Sequence, residues 1–111
     1  MYEYGCKIVR VIDGDTVEAE IDLGFDVWLK SPVRLYGINA PELKGVTLEA
    51  ATQSKNFLTD YLFTLPGKTV LQTHGKDKDK YGRVLGTLLK DGKNVSEVML
   101  TEGFAVVYKE K

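Results

Sequence analysis

Hydrophobic and polar positions recur with two different periods along this chain. Residues 7–12, Lys-Ile-Val-Arg-Val-Ile, are rich in β-branched side chains and predict a strand. Asp13-Gly14-Asp15 then reads as a turn, with Gly14 supplying positive φ and aspartate able to bond its own backbone. From Thr16 to Leu23, Val17, Ala19, Ile21 and Leu23 alternate with Thr16, Glu18, Glu20 and Asp22, the period-two pattern of a strand with one buried face. Gly24 breaks it, and Phe25 to Leu29 alternates again as the hairpin partner. Ser31-Pro32 is expected to interrupt that segment as a bulge or loop, and Val33 to Ile38 to form a further strand that Pro41 ends.

From Thr47 the period lengthens. Ala50, Ala51, Ser54, Phe57, Leu58, Tyr61, Leu62 and Leu65 recur at three- and four-residue steps, predicting an amphipathic helix of about 17 residues that Pro66-Gly67 stops. Lys68–Thr73 and Val84–Lys90 read as strands around a charged loop, and Asp91-Gly92 as a tight turn. Asn94, with Glu97 three residues on, has the spacing of a capping box for a short helix with Gly103 as its C-cap. Phe104 to Tyr108 is apolar and is expected to pack back on the core. Five strands, with a long helix between the third and fourth and a short C-terminal helix, predict a mainly β domain: the five-stranded Greek-key barrel of the OB-fold, spanning residues 1–111 as a single unit.

Composition narrows the function classes. A hydrophobic share of 43% and a charged share of 28% are those of an ordinary globular domain. No apolar run approaches the ~20 residues of a transmembrane helix, so no membrane association is expected. The N-terminus has neither a basic region nor an apolar stretch of signal-peptide type. A cytoplasmic location is expected if the chain is full length, and a secreted one if a leader has been removed. Cys6 is the only cysteine, which excludes an internal disulfide and reads as a packing thiol. A net charge of -1 means that any polyanion must be held by a local basic site rather than by the whole surface. Lys76-Asp77-Lys78-Asp79-Lys80-Tyr81-Gly82-Arg83 is one candidate; a charge-balanced solvated loop is the plain alternative.

Three stretches carry candidate chemistry: Val11-Ile12-Asp13-Gly14-Asp15-Thr16-Val17, Arg34-Leu35-Tyr36-Gly37-Ile38-Asn39-Ala40-Pro41-Glu42, and Asp79-Lys80-Tyr81-Gly82-Arg83. Together they offer oxygen donors for a hard cation, a lone carboxylate to activate water, and two guanidinium forks that stay charged at any working pH. That is equipment for attacking a phosphodiester. Singly, each residue has a plainer reading: Asp13 and Asp15 as turn residues, Arg34 and Arg83 as surface ion-pair partners, Glu42 as a solvated carboxylate, Tyr81 as a turn aromatic. His74 reads as a surface residue. Trp28 either covers a barrel end or stacks on nucleic acid.

In this order, the three motifs resemble the staphylococcal nuclease (thermonuclease) family from about Val9 to Ala105. The resemblance implies a calcium-dependent phosphodiesterase on an OB-fold. Such an enzyme cleaves DNA and RNA, single strands preferentially and with little sequence preference, and leaves 3′-phosphates. It implies Asp15, Asn39 and the Ala40 carbonyl as calcium ligands, and Arg34, Glu42 and Arg83 as catalytic side chains. Lys80 and Tyr81 would contact the terminal phosphate, and Tyr108 would lie near the base. A monomer is expected. The chain departs from the family at Asn39, where an aspartate is usual, so weaker calcium binding is expected from the lower ligand charge. It also departs in a short Leu43–Glu49 segment, in a long Thr16–Val33 hairpin, and in lacking the C-terminal helix the resemblance leads one to expect, which predicts lower stability or a need for a partner. A non-catalytic OB module that binds nucleic acid or protein is the alternative.

Overall fold

The computed structural model describes residues 2–41, 48–64, 67–75 and 78–108. Its strands and helices run in the order β1 (Glu3–Asp13), β2 (Thr16–Asp22), β3 (Trp28–Leu35), β4 (Ile38–Asn39), α1 (Leu48–Thr64), β5 (Thr69–Thr73), β6 (Val84–Lys90), β7 (Lys93–Asn94), α2 (Val95–Thr101) and β8 (Val106–Val107). Sheet order is β3-β2-β1-β5-β6, and a parallel β3–β6 pairing, Val33 to Leu35 against Val84 to Gly86, closes it into a five-stranded barrel. The chain is therefore mainly β with two helices, in the OB-like arrangement expected from the pattern. No helix among the described residues is long and apolar enough to cross a membrane.

One core joins the layers. Val11, Val17, Ile21, Val33, Leu35, Leu71 and Leu88 come from the strands, Leu58 and Leu62 from α1, and Val95 and Met99 from α2. Helix α1 matches its predicted length of 17 residues and buries Ala51, Ser54, Leu58 and Leu62. At α2, the Asn94 side chain accepts the Glu97 N–H at 3.2 Å. At its other end, Phe104 N–H bonds Met99 O and Gly103 N–H bonds Leu100 O, while Gly103 has a φ of 80°. That is a Schellman cap, and it folds the Phe104 ring back onto Phe57, 4.5 Å between centroids.

Four local expectations change. Strand β3 runs unbroken through Ser31-Pro32, which pair with Ala19 and Glu18. Its ladder to β6 begins only at Val33, so proline's missing N–H costs no bond on that edge. The register shifts lie instead in β1, between Ile8 and Arg10 and between Val11 and Asp13, where they add the coiling that closure requires. Phe25 belongs to the hairpin turn rather than to the strand, and it and Asp26 have positive φ, 57° and 63°. The predicted Val33–Ile38 strand divides at Gly37 (φ 83°), and its second part pairs with β8. In the Phe104–Tyr108 segment Ala105 is buried, whereas Val106, Val107 and Tyr108 are exposed.

Gly14 is required for a reason other than the one its turn suggested. It has no positive φ. A Cβ placed there would lie 2.0 Å from Ser54 Oγ and 2.8 Å from Ala40 Cβ, because α1 packs directly on the β1–β2 turn. Ser54 Oγ in turn donates to Phe104 O at 2.8 Å, so it cannot rotate away freely. We therefore expect Gly14→Ala to lower unfolding stability by about 1–3 kcal/mol, an overpacking cost. An unchanged urea midpoint would contradict this packing.

Candidate active site

The β1–β2 turn, the end of β3 and the short β4 meet at one end of the barrel. Asp15 is buried, and both its oxygens are engaged: Thr16 Oγ1 donates to Oδ1 at 2.9 Å, and the Ala40 N–H donates to Oδ2 at 2.8 Å. Its backbone carbonyl accepts the Leu35 N–H at 2.8 Å. Arg34 is also buried and pairs with Asp15, Nη2 to Oδ2 at 3.6 Å. The same Nη2 donates to Asn39 Oδ1 at 3.3 Å, and Nη1 donates to Leu35 O at 2.8 Å. One guanidinium nitrogen thus faces an oxygen of Asp15 and an oxygen of Asn39. Tyr108 closes the other side, with Arg34 Cζ 5.7 Å from its ring centre. It is placed there by its own N–H, which bonds Gly37 O.

Arg83 reaches the same end of the barrel on the neighbouring strand. It immediately precedes the Val33–Val84 pair, and Arg34 lies one residue past that pair. Asp79 shapes its approach: Oδ1 accepts the backbone N–H groups of Tyr81 and Arg83 at 2.9 and 2.8 Å, and Oδ2 accepts Arg83 Nε at 2.8 Å. Burial alone would raise the Asp79 pKa, but these hydrogen bonds and the Arg83 charge outweigh it and hold the carboxyl below its ordinary value. Tethering through Nε leaves the two terminal nitrogens of Arg83 without a protein acceptor among the described residues, the edge that a phosphate can meet with two parallel bonds. Tyr81 is exposed, with Lys80 Nζ 5.2 Å and Arg83 Cζ 5.0 Å from its ring centre.

Of the residues singled out from sequence, Asp15, Arg34, Asn39, Ala40 and Tyr108 are linked through Arg34 and Asp15 into one cluster. Lys80, Tyr81 and Arg83 form a second, on the loop before β6. Glu42 and the short 43–47 segment lie outside the described residues, as do Leu65, Pro66, Lys76 and Asp77. Two residues carry more than their motifs suggest. An aspartate two residues before Tyr81 and four before Arg83 has the spacing of an Asx turn that also pairs with the arginine, and Asp79 does both. His74 is half-buried rather than a free surface residue: its ring stacks on Tyr36 at 4.0 Å, and Nε2 lies 2.9 Å from Thr87 Oγ1. Burial lowers its pKa.

Residues 32–111 match the family described as staphylococcal nuclease homologue. The match covers most of the chain, and the protein belongs to this family. Over 106 residues it is 37% identical to an uncharacterized endonuclease of Escherichia coli, across 94% of this chain and 61% of that protein. It is 32% identical over 120 residues to endonuclease YhcR of Bacillus subtilis, across 96% of this chain and 9% of that protein. Endonuclease YncB of the same organism is 32% identical over 106 residues, 88% of this chain and 45% of its own length. The chain thus spans less than two thirds of each of these relatives. Family membership and the relatives' names support a nuclease.

Asp79 gives a pH test of this geometry. Its folded-state pKa is depressed, so the stability it contributes is fully present above the ordinary value of 3.8 and is lost as pH falls through the lowered value. We expect Asp79→Asn to be less stable than wild type at neutral pH and to lose less stability below about pH 4. Acid-unfolding profiles that run parallel would contradict the Asp79–Arg83 tether.

Proposed function

We propose that the chain is a metal-dependent phosphodiesterase that hydrolyses DNA and RNA, preferring single strands, with little sequence preference and 3′-phosphate products. The observation that carries the reading is the shared guanidinium: Asp15 and Asn39 turn oxygens toward one nitrogen of a buried Arg34. In a protein with the family's three motifs, this contact supports Asp15 and Asn39 as ligands beside a catalytic Arg34.

The donor set fits calcium in kind. Asp15, Asn39 and the Ala40 carbonyl are all oxygens, which suit a hard, geometrically tolerant cation better than a thiophilic one. It is modest in charge: among the described residues no three His, Cys, Asp or Glu side chains cluster, and Asn39 brings no charge. Calcium, when bound, would neutralise the phosphate and polarise its P–O bonds.

The chain's own residues do the rest. Glu42 takes the proton of the attacking water. Arg34 and Arg83 cannot give up a proton at working pH, so their part is to donate hydrogen bonds to the phosphoryl oxygens as these gain charge. Arg34 is held rigid by Leu35 O, Asn39 and Asp15, and Arg83 by Asp79, so neither must be reorganised at the moment of reaction. Lys80 and Tyr81 meet the terminal phosphate, and Tyr108 flanks the base.

The neutral Asn39 favours a second reading, a nucleic-acid-binding module on a nuclease scaffold. Arg83→Ala separates the two. The nuclease reading expects a loss of about 10²–10³ in cleavage rate with DNA binding little changed, and poor rescue by Arg83→Lys, which lacks the planar fork. DNA binding by the wild type with no metal-dependent cleavage would favour the module. A further expectation concerns the metal: Asn39→Asp binds calcium more tightly than wild type in a direct titration, and equal affinities would contradict the ligand role of residue 39.

A further inference from the structure

Away from Arg34 and Arg83, β1 and β5 separate. Their ladder runs from the Glu3–Gln72 pair to the Gly5–Val70 pair and stops, while β1 continues to Asp13. Beyond that point lies a groove of about 560 Å³, whose lining includes Lys7, Asp22, Trp28, Phe63, Lys68 and Lys90. Trp28 opens β3 and Lys90 closes β6, so each lies at the end of its strand away from Arg34 or Arg83, and the groove shares no lining residue with the candidate active site.

Three ammonium groups here face one carboxylate, in a chain whose net charge is -1. Asp22 Oδ1 accepts the Gly24 N–H at 2.8 Å, and Asp22 forms no ion pair with a lysine among the described residues. Lys90 is 92% buried, being only 8% exposed, yet its Nζ donates only to Gly67 O, at 3.1 Å, and among the described residues it has no carboxylate partner. The neighbouring Cys6 thiol does not neutralise it, because burial pushes that thiol up to about 11 against the pull of the Lys90 charge. A buried cation without a counter-ion is costly, and an anion entering the groove recovers part of that cost. Two aromatic rings stand among these cations: Trp28 and Phe63 are 44% and 49% exposed, and Lys7 Nζ lies 4.9 Å from the Trp28 ring centre. Cations interleaved with exposed rings suit a ligand that alternates phosphates with flat bases. A free inorganic anion would use the lysines and leave the rings idle.

We propose that this groove is a second binding track for single-stranded nucleic acid, with phosphates on Lys7, Lys68 and Lys90 and bases stacked on Trp28 and Phe63. The track goes beyond the nuclease reading and does not require that the chain cleave what it holds there.

Trp28 is the only tryptophan, so its emission reports on the groove directly. The test titrates the full chain with an oligothymidylate of about twelve residues, in chelator, at several salt concentrations. We expect saturable quenching. The double variant Lys7→Gln/Lys68→Gln should raise the Kd roughly tenfold and flatten the plot of log K against log salt by about 1.4, the loss of two phosphate contacts to a single strand. Lys93→Gln, which removes a charge outside the groove, should do neither. Unquenched Trp28, or an unchanged salt slope in the double variant, would overturn the proposal. So would Trp28 emission that ignores DNA but shifts with the lysine substitutions, since another part of the chain would then fill the groove. Metal-dependent cleavage assayed in parallel keeps the two readings apart. Cleavage without quenching sinks the track alone, and quenching without cleavage sinks the nuclease alone.

Discussion

The Asp15 carboxylate is the constraint on which the candidate site depends. It is buried, so it must be satisfied, and its partners come from separate pieces of chain: Thr16 opening β2, Arg34 near the end of β3, and the Ala40 N–H just past β4. Removing one partner of such a buried pair costs about 3–5 kcal/mol, because the other charge is then left uncompensated. The turn, the strand end and the β4 segment are therefore held in register by one buried side chain. Gly14 makes this possible from below, since only a residue without Cβ lets α1 sit against the turn. The Schellman cap of α2 completes the enclosure by aiming the following chain at β4, where Val106 and Val107 pair with Asn39 and Ile38, and Tyr108 comes to rest against Arg34.

The two arginines are prepared in different ways. Arg34 is buried and locked by its own strand, by Asn39 and by Asp15, which makes it a fixed positive wall behind the oxygens. Arg83 is half-buried and tethered at Nε alone, which leaves its outer edge for a ligand. A surface ion pair such as Asp79–Arg83 adds little to stability by itself. Its value here is geometric, since the same carboxylate also caps the turn that carries Lys80 and Tyr81.

Much of this architecture was legible in the chain. Strict alternation over Thr16–Leu23 marked β2, and the three- and four-residue steps after Thr47 marked α1, because burial on one face imposes those periods. Val84–Lys90 and the Asn94–Glu97 cap were also evident, since each rests on local chemistry. What local pattern cannot express was missed. Pro32 looked like a break because its tolerance depends on which edge β6 occupies, a fact of barrel closure. Gly14 looked like a backbone choice, although its requirement comes from Ser54, forty residues away in the chain. The β4–β8 ladder is two residues long and carries no period. In the candidate site, Asp15, Arg34 and Asn39 are marked by motif and lie in contact, whereas the place of Asp79 rests on its hydrogen bonds.

Metal-dependent nuclease activity is tested most directly by cleavage of single-stranded DNA with millimolar calcium, with chelator, and with Glu42→Gln as a control. A nuclease of this kind gives cleavage that needs the metal, disappears with Glu42→Gln and leaves 3′-phosphate ends. Cleavage that persists in chelator or in Glu42→Gln, or no cleavage by a wild type that still binds DNA, would contradict that reading.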